Sequence, residues 1–389
     1  MLTIYLCFFA IGGKNVCPKQ LGKMKYFFVA IVFLHGLIHM LGFVKGVGLM
    51  EVKALTQPIS HTSGVLWLIA AALIINYGIF YFSEFNESWL MGYVAVLISQ
   101  GLIILYWNDA KFGTLPNIAI LLVSMIAHGQ FNFQELIENE QADLLSRITN
   151  TTDRFISELD LIGLPQPVGK WLHRTGVVGR PYIYTGKVTQ EAAMKMRPDQ
   201  DKWLNATAMQ YTTMDVPSFI WTVDAKMNGL INFQGRDKFE NGKGEMLIKL
   251  NSLIKIVDEK GPKLDEGSLQ RYLGELVWFP SLALSPYITW QEIDEFTATA
   301  TMDYKGTKGS GTFYFNPDGD FVKFSAMRYK GNEPDAERYE WVLLVEERKT
   351  FEGINIPSKM TATWKLESED WTWLKLEIED IRYNENAFR

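Results

Sequence analysis

The chain has 389 residues, a formal net charge of -6 and 48% hydrophobic residues. An acidic balance without a basic stripe excludes a nucleic-acid partner held through phosphate contacts. Both cysteines, Cys7 and Cys17, sit near the N-terminus, so the remainder has neither a disulfide framework nor a thiolate metal site.

Met1–Ile11 is apolar but too short to cross a bilayer, and it lacks the basic residues that precede the apolar core of a signal peptide. Lys14, Lys19, Lys23 and Lys25 follow it, and Met24 is an alternative start that leaves 1–23 as an uncertain extension. From there the chain is apolar. A membrane crossing needs about 20 mostly apolar residues. Tyr26–Val44, Gly64–Phe82, Trp89–Trp107 and Leu115–Phe131 each meet that requirement, which predicts a four-helix transmembrane domain over 24–131. Gly36 and Gly42 in the first span allow another helix to approach closely. Lys45, Lys53 and Lys111 fall in the two loops of one face, whereas Ser83–Ser88 on the other face has no basic residue. The positive-inside rule then places the lysine loops in the cytoplasm and the C-terminal region outside it.

Residues 132–165 read as a linker with apolar residues at helical spacing. The Pro165-Gln166-Pro167 break follows, and Val168–His173 suggests a short helix entering a domain over 166–389. From Trp203 the apolar period becomes two. Phe219, Trp221, Val223 and Ala225 alternate with Thr222, Asp224 and Lys226, and Met360, Ala362 and Trp364 alternate with Thr361, Thr363 and Lys365. One-sided alternation marks antiparallel strands with a single buried face. Asn228-Gly229, Asn241-Gly242 and Pro317-Asp318-Gly319 supply turns. About ten strands are expected, enough for a curved antiparallel sheet or half-barrel.

Asp265–Leu284 interrupts the strands. Ser268 is placed to cap a helix running to about Trp278, and Pro280 ends it. A segment this apolar should be buried, most simply as a helical lid on the concave face of the sheet. Leu273, Val277, Trp278 and Phe279 would then face an apolar cavity, with Glu275 as a polar contact and Trp221, Trp364 and Arg328 as further lining. The competing reading gives Glu275 a structural pairing with Arg271 or Arg328 and makes the aromatics plain core.

Several stretches carry a resemblance. Leu164-Pro165-Gln166-Pro167-Val168, Leu273 through Pro280, Arg328-Tyr329, Gly353-Ile354-Asn355-Ile356-Pro357, Leu34 through His39, and Asp109 through Thr114 are similar to a bacterial family of membrane-anchored proteins of unknown function. The strand run, inserted helix and Gly-x-x-Ile-Pro turn further resemble lipoprotein-carrier (Lol-type) half-barrels. That resemblance implies acyl chains held between a curved sheet and a helical lid, by fold analogy alone.

Among the spans, His35 and His39 lie four apart on one helix face. With His61 or Asp109 they form a weak candidate for a metal site or proton relay. His128 lies toward the opposite face of the membrane, which disfavours a haem bridging the first and fourth spans. The alternative is hydrogen bonding between helices. No Gly-rich phosphate loop and no Gly-x-Ser-x-Gly elbow is present, and no cofactor is expected. The sequence favours a binding protein over an enzyme: a bacterial inner-membrane protein with the bilayer as partner, holding a lipid or other apolar ligand. A membrane-embedded enzyme or transporter is the rival.

Overall fold

The computed structural model of the protein describes residues 18–148, 154–227 and 231–385. Cys7, Cys17 and the Asn228-Gly229 turn lie outside the described residues. The chain divides into two compact units: the first ends at Gln134 and also takes in Ile231 and Asn251–Leu253, and the second holds the remainder from Glu135.

The first unit is helical: α1 (Pro18–Gly46), α2 (His61–Phe82), α3 (Ser88–Leu105), the single turn α4 (Trp107–Ala110) and the start of α5 (Thr114–Ser146). Four of its helical segments are long and apolar enough to cross a membrane. Their outward residues, such as Leu37, Leu97, Ile104, Leu115 and Leu122, are exposed, as expected where lipid replaces water. Gly36 and Gly42 permit the close approach expected of them. A β-carbon at Gly36 would lie 2.8 Å from Ile75, and one at Gly42 would lie 2.5 Å from the Trp67 ring. α5 runs unbroken to Ser146, so the first part of the expected linker, 132–146, continues the fourth helix. Leu144 and Ile137 on this extension are buried, a pattern that amphipathic spacing provides.

The second unit is built on one antiparallel sheet. Its strands are β1 (Thr185–Met194), β2 (Leu204–Thr213), β3 (Ser218–Lys226), β4 (Asn232–Glu240), β5 (Lys243–Leu250), β6 (Ile254–Lys260), β7 (Ile288–Asp294), β8 (Thr297–Tyr304), β9 (Thr307–Phe315), β10 (Phe321–Tyr329), β11 (Arg338–Phe351), β12 (Ile354–Lys365) and β13 (Asp370–Tyr383). The 13-stranded order is β6-β5-β4-β3-β2-β1-β13-β12-β11-β10-β9-β8-β7. The chain therefore enters mid-sheet, meanders to one edge, crosses to the other edge, and meanders back until β13 pairs with β1. A sheet this wide curls, and here it forms a half-barrel with helices packed against it.

Local chemistry sets the hairpins. Asn241-Gly242, Lys305-Gly306 and Glu352-Gly353 all have positive φ at both turn residues, as two-residue hairpins of matching twist require. Pro317-Asp318-Gly319 turns between β9 and β10, closed by Gly319 N–H to the Asn316 carbonyl at 2.9 Å. The short helix α6 (Gln166–Thr175) buries Val168, Trp171 and Leu172 in the same core as the strands.

The crossing from β6 to β7 is the lid. Helix α7 (Pro262–Gly274) passes into two 3-10 segments, Glu275–Trp278 and Pro280–Leu284. The helix begins one and a half turns earlier than Ser268. Gly261 breaks the strand with φ 140°, and Pro262 sits where its missing N–H costs nothing. Ser268 is therefore inside the helix, and its hydroxyl caps nothing.

Candidate functional site

The lid fills one end of the concavity and leaves the other open. At the filled end Leu269, Tyr272, Leu273, Leu276, Val277 and Phe279 are all buried. Phe279 reaches β1 so closely that a β-carbon at Gly186 would fall 2.1 Å from its ring. Tyr383 donates from its hydroxyl to the Trp278 carbonyl at 2.9 Å, tying β13 to the lid. Tyr272 donates to the Thr213 carbonyl at 2.7 Å. Leu273, Val277 and Phe279, expected to line a cavity, are packed core instead.

At the other end lies a cavity of about 260 Å³. It is bounded by Trp221, Asp237 and Met246 on β3–β5, by strands β10–β13, and by Arg271, Gly274, Glu275 and Trp278 of the lid. Six tryptophans form its walls: Trp221, Trp278, Trp341, Trp364, Trp371 and Trp373. Met360, Ala362, Leu343, Leu374 and Leu376 fill the spaces between them. The last tryptophan pair depends on an irregularity. Ala362 faces Leu374 but Thr363 faces Thr372, so Trp373 is the extra residue of a bulge. Bulges re-aim side chains, and here Trp371, Trp373 and Leu374 all reach the cavity. Of the residues named from sequence, Glu275, Trp278, Trp221, Trp364 and Arg328 lie on its lining.

The polar wall is a cluster around Arg271. Its Nη1 lies 2.6 Å from Asp237 Oδ2, its Nε 2.7 Å from Glu275 Oε1, and its Nη2 3.1 Å from Gln210 Oε1. Gln210 donates in turn to Glu275 Oε2 at 2.8 Å. The guanidinium also faces the rings of Phe219 and Trp221, each 4.8 Å from Cζ. Burial alone would lower the Arg271 pKa, but Glu275 and Asp237 outweigh it and hold the group above its ordinary value. Glu275 thus takes the arginine partner foreseen by the competing reading while still facing the cavity.

Arg328 is different. Its Cζ stands 4.1 Å over the Trp341 ring and 5.8 Å from that of Trp364. Its Nε is buried without an acceptor, and the side chain makes no hydrogen bond or ion pair among the described residues. The side chain is half-buried and lies on the cavity wall. Burial draws its pKa down to about 10 against the pull of Asp237. The indole N–H groups of Trp278, Trp341, Trp371 and Trp373 likewise lack an acceptor, whereas that of Trp221 donates to Gln190 Oε1 at 3.0 Å.

Sequence reasoning missed Asp237 and Gln210 although a signal existed. In β4 the inward positions read Phe233, Gly235, Asp237, Phe239; in β2 they read Ala206, Ala208, Gln210, Thr212. A polar residue at an inward phase of a period-two pattern is the mark.

The histidines of the helical unit form a second buried polar group. His35 lies 2.9 Å from Asn117 Oδ1 through Nε2. His39 Nδ1 faces the His35 carbonyl at 3.0 Å, so that nitrogen carries the proton, and Ser99 donates to His39 Nε2 at 2.8 Å. Asn117 completes the set through Ser99 and Gln100. Neither Asp109 nor His61 takes part: Asp109 accepts from Thr56 and Gln57, and His61 is an exposed first residue of α2. His128 stacks on Trp89 with ring centroids 3.9 Å apart. Trp89 and Ser99 are ten residues apart on α3, so the two histidine groups differ in depth by roughly 15 Å at 1.5 Å per residue. Among the described residues no three His, Cys, Asp or Glu side chains are placed to share a metal ion.

Residues 154–376 match a family of unknown function, DUF6544. The chain belongs to this family. The match runs from the segment before α6 into β13 and takes in the lid and the whole polar cluster. No curated protein matches the chain.

Proposed function

We propose that the half-barrel binds a lipid or another apolar ligand, and that the helical unit anchors it to a bacterial inner membrane. The observation carrying this reading is the tryptophan-walled cavity beside an otherwise filled core. Protein interiors rarely leave large voids, because each lost contact is a lost stabilisation. A lining of large apolar side chains with few convergent polar groups suits a ligand whose buried chain gains about 25 cal/mol per Å². The lysines of the loops around Lys53 and Lys111 favour a C-terminal region outside the cytoplasm. The rival site among the helices has no comparable support, since the His35–His39 group spends its hydrogen bonds on its neighbours.

Mass spectrometry of small molecules retained by the purified full chain is the direct test, with a co-purified lipid expected. A second test replaces Trp278 with Ala and follows a fluorescent fatty acid. Binding should weaken. If instead stability drops by several kcal/mol, as truncation of plain core would give, and neither form binds the probe, the reading fails.

A further inference from the structure

The lining of the cavity is lopsided in its hydrogen bonding. Both carboxylates, Asp237 and Glu275, are engaged by Arg271. Among the described residues, what remains without a partner is mostly donor: the Arg328 guanidinium and the indole N–H groups of Trp278, Trp341, Trp371 and Trp373, against one buried acceptor, Asp237 Oδ1. A guanidinium has five N–H donors and no acceptor. It lies here over the Trp341 ring at 4.1 Å. Its inward position on β10 follows from the alternation Phe324, Ala326, Arg328.

A half-buried cation whose donors meet no acceptor is costly and is seldom kept without use. The two arginines and two carboxylates sum to zero charge, so the local field does not by itself demand an anion. The demand comes from geometry. Arg328 makes no hydrogen bond among the described residues, both Glu275 oxygens are taken by Arg271 and Gln210, and Asp237 gives Oδ2 to Arg271 and keeps only Oδ1. A carboxylate or phosphate meets a guanidinium with two parallel, charge-assisted bonds, roughly twice as strong as neutral ones. An ammonium or amide head would bring more donors to a wall already short of acceptors.

We infer that the ligand of the half-barrel is an amphiphile with an anionic, acceptor-only head, a carboxylate or phosphate, gripped by Arg328 while its apolar chain lies among the tryptophans. This rests on the proposed binding function and narrows it to a class of head group.

The test uses the full chain in lipid nanodiscs and hexadecyl probes with a photoreactive diazirine on the chain. The probes end in carboxylate, phosphate monoester, methyl ester or amine. Cross-linked peptides are mapped by mass spectrometry, so partition into the bilayer is told apart from cavity labelling. Cavity labelling by the carboxylate or the phosphate should exceed that by the ester and the amine at least tenfold. The better of the two identifies the natural head. Arg328→Met should remove that advantage, bringing carboxylate and phosphate labelling down to the level of the ester in the same variant, and Arg328→Lys should retain part of it. Inorganic phosphate should compete poorly; competition as strong as that of the phosphate probe would overturn the need for a chain. Equal cavity labelling by all four heads would overturn this inference and leave the binding function intact. No cavity labelling by any probe would defeat the binding function itself.

Discussion

The two units each bury a polar cluster, and the clusters differ in closure. Among the helices His35, His39, Ser99 and Asn117 form a set in which donors meet acceptors, and Gln100 takes the outer amide proton. In the half-barrel Arg271, Asp237, Glu275 and Gln210 are joined in the same way, with only Asp237 Oδ1 left over, but Arg328 beside them has no hydrogen-bonding partner among the described residues. A closed cluster fixes the register of its elements and has nothing left to offer a ligand. An open one, facing a cavity, keeps donors in reserve. Burial of polar groups therefore says little about function until each hydrogen bond has been assigned.

The largest effect should come from opening the closed part of the half-barrel cluster. Arg271→Met strips the cation from two buried carboxylates. Removing one partner of a buried ion pair costs about 3–5 kcal/mol, and urea unfolding of the second unit should record a loss of that order. A loss below about 1 kcal/mol would mean that water reaches Asp237 and Glu275 freely and that the cluster is not closed.

Overpacking the filled end comes next. Gly186→Ala places a methyl where the Phe279 ring already lies, 2.1 Å away. Phe279 is fully buried and has no room to swing aside. Inserting a methyl group into a packed core costs about 1–3 kcal/mol, so thermal unfolding should shift down with the cavity unaltered. Neutral behaviour would show that the filled end has slack and that the two ends of the lid differ less than their packing implies.

In the helical unit, His39→Phe removes the bonds to Ser99 and to the His35 carbonyl but keeps the aromatic contact with Trp67, whose ring lies 4.9 Å away. Hydrogen bonds between membrane helices average about 0.6 kcal/mol and rarely exceed about 2. A modest fall in resistance to denaturing detergent is expected. A visible Soret band in the wild type that vanishes in this variant would turn the cluster from packing to chemistry.

Much of this architecture is legible in the amino-acid sequence. Hydropathy locates the first three apolar helices and the start of the fourth to within a few residues, because bilayer thickness leaves little freedom in length, but the amphipathic continuation of the fourth to Ser146 carries no such signal. Asn241-Gly242 and Pro317-Asp318-Gly319 turn where their chemistry says they should. The first strand is not legible. The inward residues of β1 are Val188, Gln190 and Ala192, too polar and too small to announce a buried face. The lid start is hidden because Lys263–Gly267 reads as a polar loop until Pro262 is recognised as a first helical residue. Within the cluster, Arg271 and Glu275 lie one helical turn apart and can be paired from spacing alone. Gln210, Asp237 and Arg328 cannot, since they meet only when three distant strands curl under one helix.

An effect of similarly small size has the opposite sign. Arg328→Met should stabilise the protein in the absence of ligand, by about 1 kcal/mol, since exchanging a desolvated charge without a hydrogen-bonding partner for an apolar side chain of similar length is often neutral or favourable. The sign follows from proton linkage. The folded state holds the Arg328 pKa near 10, chiefly through burial, below its ordinary value. The unfolded chain therefore binds the proton more tightly than the folded one. The cost is full at every pH below about 10 and is relieved only as pH rises through that value. At neutral pH the variant escapes the whole of it and loses only the stacking on Trp341, a contact of order 0.5–2 kcal/mol. A rise of about 2–4 °C in melting temperature is expected for a unit of this size. Repeating the comparison above pH 11 should shrink the gain. A fall of several degrees at neutral pH would mean that Arg328 props Trp341 and Trp364 in place, and the open cluster would then be a structural strut like the closed one beside it.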